Sequence, residues 1–85
     1  MPARVYFPDW LEDVFADLPP REQDAIFEKF ESLRFFPRMC PVRRTGRWQG
    51  LRWFVARDWL VYYDYVPDDN TIYVRNLWPA RALPL

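Results

Sequence analysis

Proline placement constrains this chain more than any other feature of it. Nine of its 85 residues are proline and only two are glycine. Proline holds φ at about −65° and donates no backbone hydrogen bond, so it ends strands, is tolerated in the first turn of a helix, and is excluded from the interior of either. Pro8, the Pro19-Pro20 pair, Pro37, Pro41, Pro67 and Pro79 therefore mark where regular structure must stop or begin. A chain of this length forms one domain, here residues 1–85, that hides only roughly 60% of its unfolded surface. Aromatic residues make up 20% of the sequence, and each can bury about 150–250 Å², which offsets the small size.

Between the prolines the hydrophobic period changes once. Residues 3–7 are short and β-prone, and Pro8 closes them. Asp9 is placed to cap a helix, with Glu12 three residues on as in a capping box. Trp10, Leu11, Val14, Phe15 and Leu18 follow at helical spacing until the double proline. A second helix starts there, with Ile26, Phe27, Phe30 and Leu33 as its apolar stripe, Glu22, Asp24 and Glu28 on its outer side, and Phe36-Pro37 as its end. Residues 38–50 are arginine-rich and irregular, part of 42–48 being a candidate strand, with Gly46 and Gly50 as turn points. Residues 51–56, Trp59–Val66 and 71–77 then read as three strands, the middle one with Trp59, Val61, Tyr63 and Tyr65 on one face. Short connections force these three to run antiparallel. The reading is α+β: a strand, a helical hairpin, and a C-terminal antiparallel meander packed against the helices, in the order β-α-α-β-β-β(-β). Residues 82–85 carry no pattern and are expected to be mobile.

Charge is distributed in blocks although the formal net is zero. Eight acids face three bases up to Leu33. Seven arginines and no acid fill the stretch from Arg34 to Arg57. Four acids and two arginines follow. All but one of the cations are arginine, whose planar fork suits phosphate and carboxylate and stacks on aromatic faces. Such a block is either a solvated edge balancing an acidic helical face or a surface for an acidic partner, whether nucleic acid or protein. We expect the meander to gather its guanidinium groups into one cationic ledge.

Other chemistries find little support. Histidine is absent, which excludes a histidine general base and a Ser-His-Asp triad, and no metal site is expected. Cys40 stands alone beside Pro41, so no internal disulfide can form, and it reads as a structural residue. There is no glycine-rich phosphate loop, and no cofactor is implied. No apolar run approaches the ~20 residues of a membrane span, and no signal-peptide pattern is seen, so a cytoplasmic location without membrane contact is expected.

The segments Leu51-Arg52-Trp53-Phe54, Trp59-Leu60-Val61-Tyr62-Tyr63 and Arg75-Asn76-Leu77-Trp78-Pro79-Ala80-Arg81 resemble the C-terminal half of the RelE/ParE toxin superfamily, closest to its ParE, plasmid-stabilisation branch. The opening strand and the hairpin hinged at Leu18-Pro19 fit the same order of elements. Trp78 and Pro79 depart from the pattern, standing where the family often has histidine and glycine. The resemblance implies the toxin of a type II toxin–antitoxin system, neutralised by a cognate antitoxin and acting by binding a target, with DNA gyrase foremost. The alternatives it leaves are a ribosome-dependent mRNA endonuclease (mRNA interferase) of the RelE type and a family member that has lost toxicity; a homo-oligomer also stays open. Partner or nucleic-acid contacts would fall to Arg43, Arg44, Arg47, Arg52, Arg75 and Arg81. A nuclease would use Arg52, Arg75 and Arg81 on phosphate with Tyr63 beside the scissile bond.

Overall fold

A computed structural model describes residues 1–82, so the expectation for 82–85 lies outside it save for the backbone of Ala82. Its elements run β1 (Arg4–Tyr6), α1 (Asp9–Ala16), α2 (Pro20–Phe35), β2 (Arg52–Ala56), β3 (Trp59–Val66) and β4 (Thr71–Pro79), with short 3-10 turns at Pro67–Asp69 and Ala80–Ala82. The sheet order is β1-β4-β3-β2. β2, β3 and β4 form the antiparallel meander expected, while β1 lies beside β4 and parallel to it. That placement is set by long-range anchors. The Ala3 amide donates to the Arg34 carbonyl at 2.7 Å, and Arg34 Nε returns a bond to the Ala3 carbonyl at 2.9 Å. Asn70 Nδ2 donates to the Met1 and Pro2 carbonyls, further fixing the entry to β1.

The helices begin as proline requires, with one difference from expectation. Pro8, not Asp9, is the cap of α1, and no side chain caps it. The Pro8 carbonyl accepts from the Leu11 and Glu12 amides, so an extended proline already supplies the acceptor and Asp9 becomes the first helical residue. Asp9 and Glu12 still face the positive end of the helix dipole. The hairpin joint is held by Gln23, whose side-chain amide donates to the carbonyls of Phe15, Ala16 and Leu18 at 3.0–3.1 Å. These carbonyls lie at the end of α1 and just beyond it, where few backbone partners are available.

Leu11 and Leu18 from the first helical segment, and Ile26, Phe30 and Leu33 from the second, meet Phe54, Val61, Tyr63, Ile72 and Val74 from the sheet. Full burial of such a side chain contributes about 1.5–3 kcal/mol. The expected face of β3 is confirmed, with Trp59 and Tyr65 packed at the margin of this core. Three apolar residues of the expected helical stripes instead remain exposed: Trp10, Val14 and Phe27. α1 is only eight residues long, so it turns Leu11 and Phe15 inward and leaves the Trp10–Val14 flank outside. Glu22 is not simply on the outer side of α2: it pairs with Arg57 at 3.1 Å, tying α2 to the β2–β3 turn. Arg57 sits there at φ +55°, a left-handed conformation that helps close a two-residue connection.

The opposite face of the sheet has its own small cluster, which the sequence did not announce. Leu60 and Tyr62 are buried although they point away from the helices. Trp48 stacks on Tyr62 at 5.3 Å between centroids and meets Trp78 edge-on at 6.1 Å. Trp48 reaches them because residues 38–50 do not form the candidate strand. Only Val42 pairs, in a single bridge to Arg52, and the Trp53 amide donates to the Pro41 carbonyl. The chain then turns back through the Arg43 amide to the Leu51 carbonyl and the Gly50 amide to the Arg43 carbonyl. Gly46 and Gly50 hold φ of +85° and +92° in that loop. The segment thus starts on the helix side, crosses the edge of β2, and lays its indole on the far face.

Candidate functional site

The arginines do not form one ledge. Arg52 is opposite Tyr63 in the ladder and so points to the helix side, where its Nη1 donates to the Cys40 carbonyl at 2.7 Å and the Arg38 carbonyl at 3.1 Å. It acts as a clasp on the start of the crossing loop. Arg75 lies at a bulge, with Tyr62 paired to Asn76 and Tyr63 to Val74, so Arg75 has no ladder partner. Such a bulge re-aims its extra residue. Arg75 is turned toward Asp64, at 3.5 Å, and over the Tyr73 ring, at 5.7 Å. Arg81 is exposed in the last 3-10 turn.

Arg43, Arg44 and Arg47 do share one loop. Arg43 Nε donates to the Thr45 carbonyl, Arg47 lies over Trp48 at 5.6 Å, and Arg44 is exposed between them. Arg38 precedes them, resting over Tyr65 at 5.1 Å. Exposed positive charge is therefore gathered on the loop, while Arg52 and Arg75 are engaged with the protein itself.

Tyr63 lies inside the molecule at 0% exposure. Its hydroxyl donates to the Pro37 carbonyl at 2.9 Å, and burial is the main cause that pushes its pKa far above the usual phenol value. A phenol sealed in this way has no access to a scissile bond. Tyr6 is the exposed tyrosine, at 51%; the half-buried Tyr73 packed beside it donates its hydroxyl to Asp69, and that hydrogen bond is the main cause raising its pKa. Among the described residues no three metal-ligating side chains converge, and no helix is long and apolar enough to cross a membrane.

One concave feature is missing from the sequence reading. β1, α1 and α2 enclose an open cleft of about 640 Å³. Phe7, Phe15, Phe27 and Phe30 supply its apolar lining, with Arg4, Arg34, Glu12 and Glu31 as its charged groups. Phe7 packs against Phe15 at 5.4 Å and Phe30 at 5.5 Å, and Phe30 continues edge-on to Phe54. The aromatic lining is thus continuous with the core. Arg34 pairs with Glu31 at 3.3 Å, so much of the rim charge is balanced locally. The Arg4 amide donates to the carbonyl of Asn70, just before β4, and alternation along the strand directs the backbone groups of Val5 to the open edge beside the cleft. The available signal in the sequence was Phe27, which widens the α2 stripe beyond what burial in this small core needs.

A short parallel strand, a helical hairpin packed on a meander, and an open aromatic cleft make a small α+β fold that recurs in solved RelE and RelBE structures. The RelBE2 toxin–antitoxin complex of Mycobacterium tuberculosis contains a chain similar at TM-score 0.76 and 18% identity, over 91% of this chain and 96% of that one. A mutant of the Escherichia coli toxin RelE in its free state matches at TM-score 0.78 and 13% identity, over 96% and 87%. The archaeal RelE–RelB complex of Pyrococcus horikoshii matches at 0.69 and 23%, over 94% and 97%. No curated protein matches by sequence. The family described as the ParE toxin of the type II toxin–antitoxin system parDE matches residues 8–84, and the chain belongs to that family.

Proposed function

We propose that this toxin acts by binding DNA gyrase and is held inactive by a cognate antitoxin seated in the cleft between β1, α1 and α2. The single observation that carries the antitoxin part is the cleft: apolar, open, and bordered by an unpaired strand edge. A disordered segment that folds on binding fits such a place, with apolar anchors over Phe7 and Phe27 and an extended stretch along β1. Its acidic residues would meet the loop arginines Arg43, Arg44 and Arg47. Action by binding is supported by the interior position of Tyr63 and by the engagement of Arg52 with two carbonyls, which withdraw two of the four groups assigned to the nuclease reading.

Expression of the chain alone is expected to arrest growth and accumulate cleaved gyrase–DNA complexes. Co-expression of a small acidic companion from a neighbouring reading frame is expected to relieve the arrest. Codon-phased mRNA cleavage with intact gyrase cycling would replace this reading with the RelE-type nuclease, and absence of arrest would mark a member that has lost toxicity. Reversing the charge of Arg43, Arg44 and Arg47 together should weaken antitoxin capture about tenfold at low salt. Unchanged affinity in a titration at fixed ionic strength would remove the loop from the interface.

A further inference from the structure

Two exposed surfaces outside the cleft carry apolar side chains beside opposite charge. The first is one flank of α1. Trp10 is 56% exposed and Val14 37%, one helical turn apart, with Asp13 and Asp17 beside them on the same flank. Among the described residues, no salt bridge involves an acid of this segment. The second surface is the turn after α2. Phe36 is 67% exposed and Met39 47%, and with Pro37 and Arg38 they line a shallow depression of about 300 Å³. This turn lies in the stretch from Arg34 to Arg57 that contains no acid. Arg52 holds the carbonyls of Arg38 and Cys40, so the depression is pre-formed.

An exposed indole flanked by carboxylates is what a basic, apolar depression would receive. The ring would fill the space between Phe36 and Met39, beside the Arg38 guanidinium that rests over Tyr65, and Asp13 and Asp17 would meet the arginine-rich surround. Leu11 and Leu18 fix the segment carrying Trp10 in the core of its own molecule, and Trp10 and Phe36 both remain exposed there, so neither surface satisfies the other within one chain. We infer that the Trp10 flank of α1 docks into the Phe36–Met39 turn of a second copy of this chain. The contact is heterologous, using different patches on the two copies, and is small enough to be transient. It is independent of the gyrase and antitoxin reading.

The test is light scattering on the purified 85-residue chain over a concentration series. At about 0.05 M salt the average mass should climb above the 10.5 kDa monomer. It should fall back at about 0.5 M, where the Debye length is roughly threefold shorter. A first variant combines W10A, D13K and D17K; a second combines F36S and R38E. All five positions are outside the buried core, and matching melting curves would verify that both variants fold. Each variant alone should stay monomeric. Mixed one to one, they should associate, because the first retains an intact turn and the second an intact flank, and the product should be a capped pair of about twice the monomer mass. A wild-type chain that is monomeric throughout overturns the inference. So does association that survives in either variant, or a mixture that remains monomeric.

Discussion

The two faces of the sheet are closed by different means. On one, two helices and the start of the crossing loop bury a continuous apolar cluster that reaches from Leu11 to Leu77. On the other, Leu60 and Tyr62 are covered where Trp48 and Trp78 gather, with Trp48 brought there by the arginine loop. The first arrangement distributes stability over many side chains. The second makes the position of the basic loop depend strongly on one indole, so that a packing contact fixes where positive charge is presented. Packing and partner recognition are coupled on the loop side and separate on the helix side.

The sharpest way to break this contrast is to damage each face in turn. Leu33→Ala removes a fully buried side chain between α2 and the sheet, and should lower unfolding free energy by about 3 kcal/mol in denaturant titration. Trp48→Ala should cost less, about 2 kcal/mol, because the ring is only half-buried. It should also accelerate proteolysis within residues 43–50 under native conditions, an effect that Leu33→Ala should show only through global unfolding. Equal loop protection in the two variants would mean that Trp48 does not hold the loop.

Tyr63→Phe probes the junction of the two regions, since its hydroxyl bonds to Pro37 where the loop departs. Loss of that bond leaves the carbonyl under-satisfied and should cost about 1 kcal/mol. The pH dependence has a definite sign. The folded-state pKa of Tyr63 is raised, so its contribution is fully present below the unfolded phenol pKa of about 10 and is lost as pH rises above that value toward the folded pKa. Wild-type stability should therefore fall in alkaline solution more steeply than that of Tyr63→Phe. The smallest effect is expected at Arg75→Ala: its pair with Asp64 is surface-exposed, and the change should stay within about 0.5 kcal/mol.

The sequence was most readable where backbone rules dominate. Prolines marked the ends of β1, α1 and α2, and the alternation of Trp59, Val61, Tyr63 and Tyr65 identified the inner face of β3. Resemblance in the strand segments pointed to the family. What it did not reveal depends on contacts distant in the chain. The parallel place of β1 rests on Ala3 meeting Arg34 and Arg4 meeting Asn70. The separation of Arg52 from Arg75 follows from strand register and a bulge between Tyr62 and Tyr63, neither of which has a local signature here. The cleft was hidden for a similar reason, since Phe27 reads as one more core residue until the hairpin is docked on the sheet.

The loop that crosses the edge of β2 also carries a kinetic consequence. Its bridge at Val42 requires β2, and its stack at Tyr62 requires β3, so it can seat only on a hairpin that has already closed. Seating of Trp48 is thus a late event on the folding pathway. Substitutions there should speed unfolding while leaving the folding rate almost untouched, with φ-values near zero.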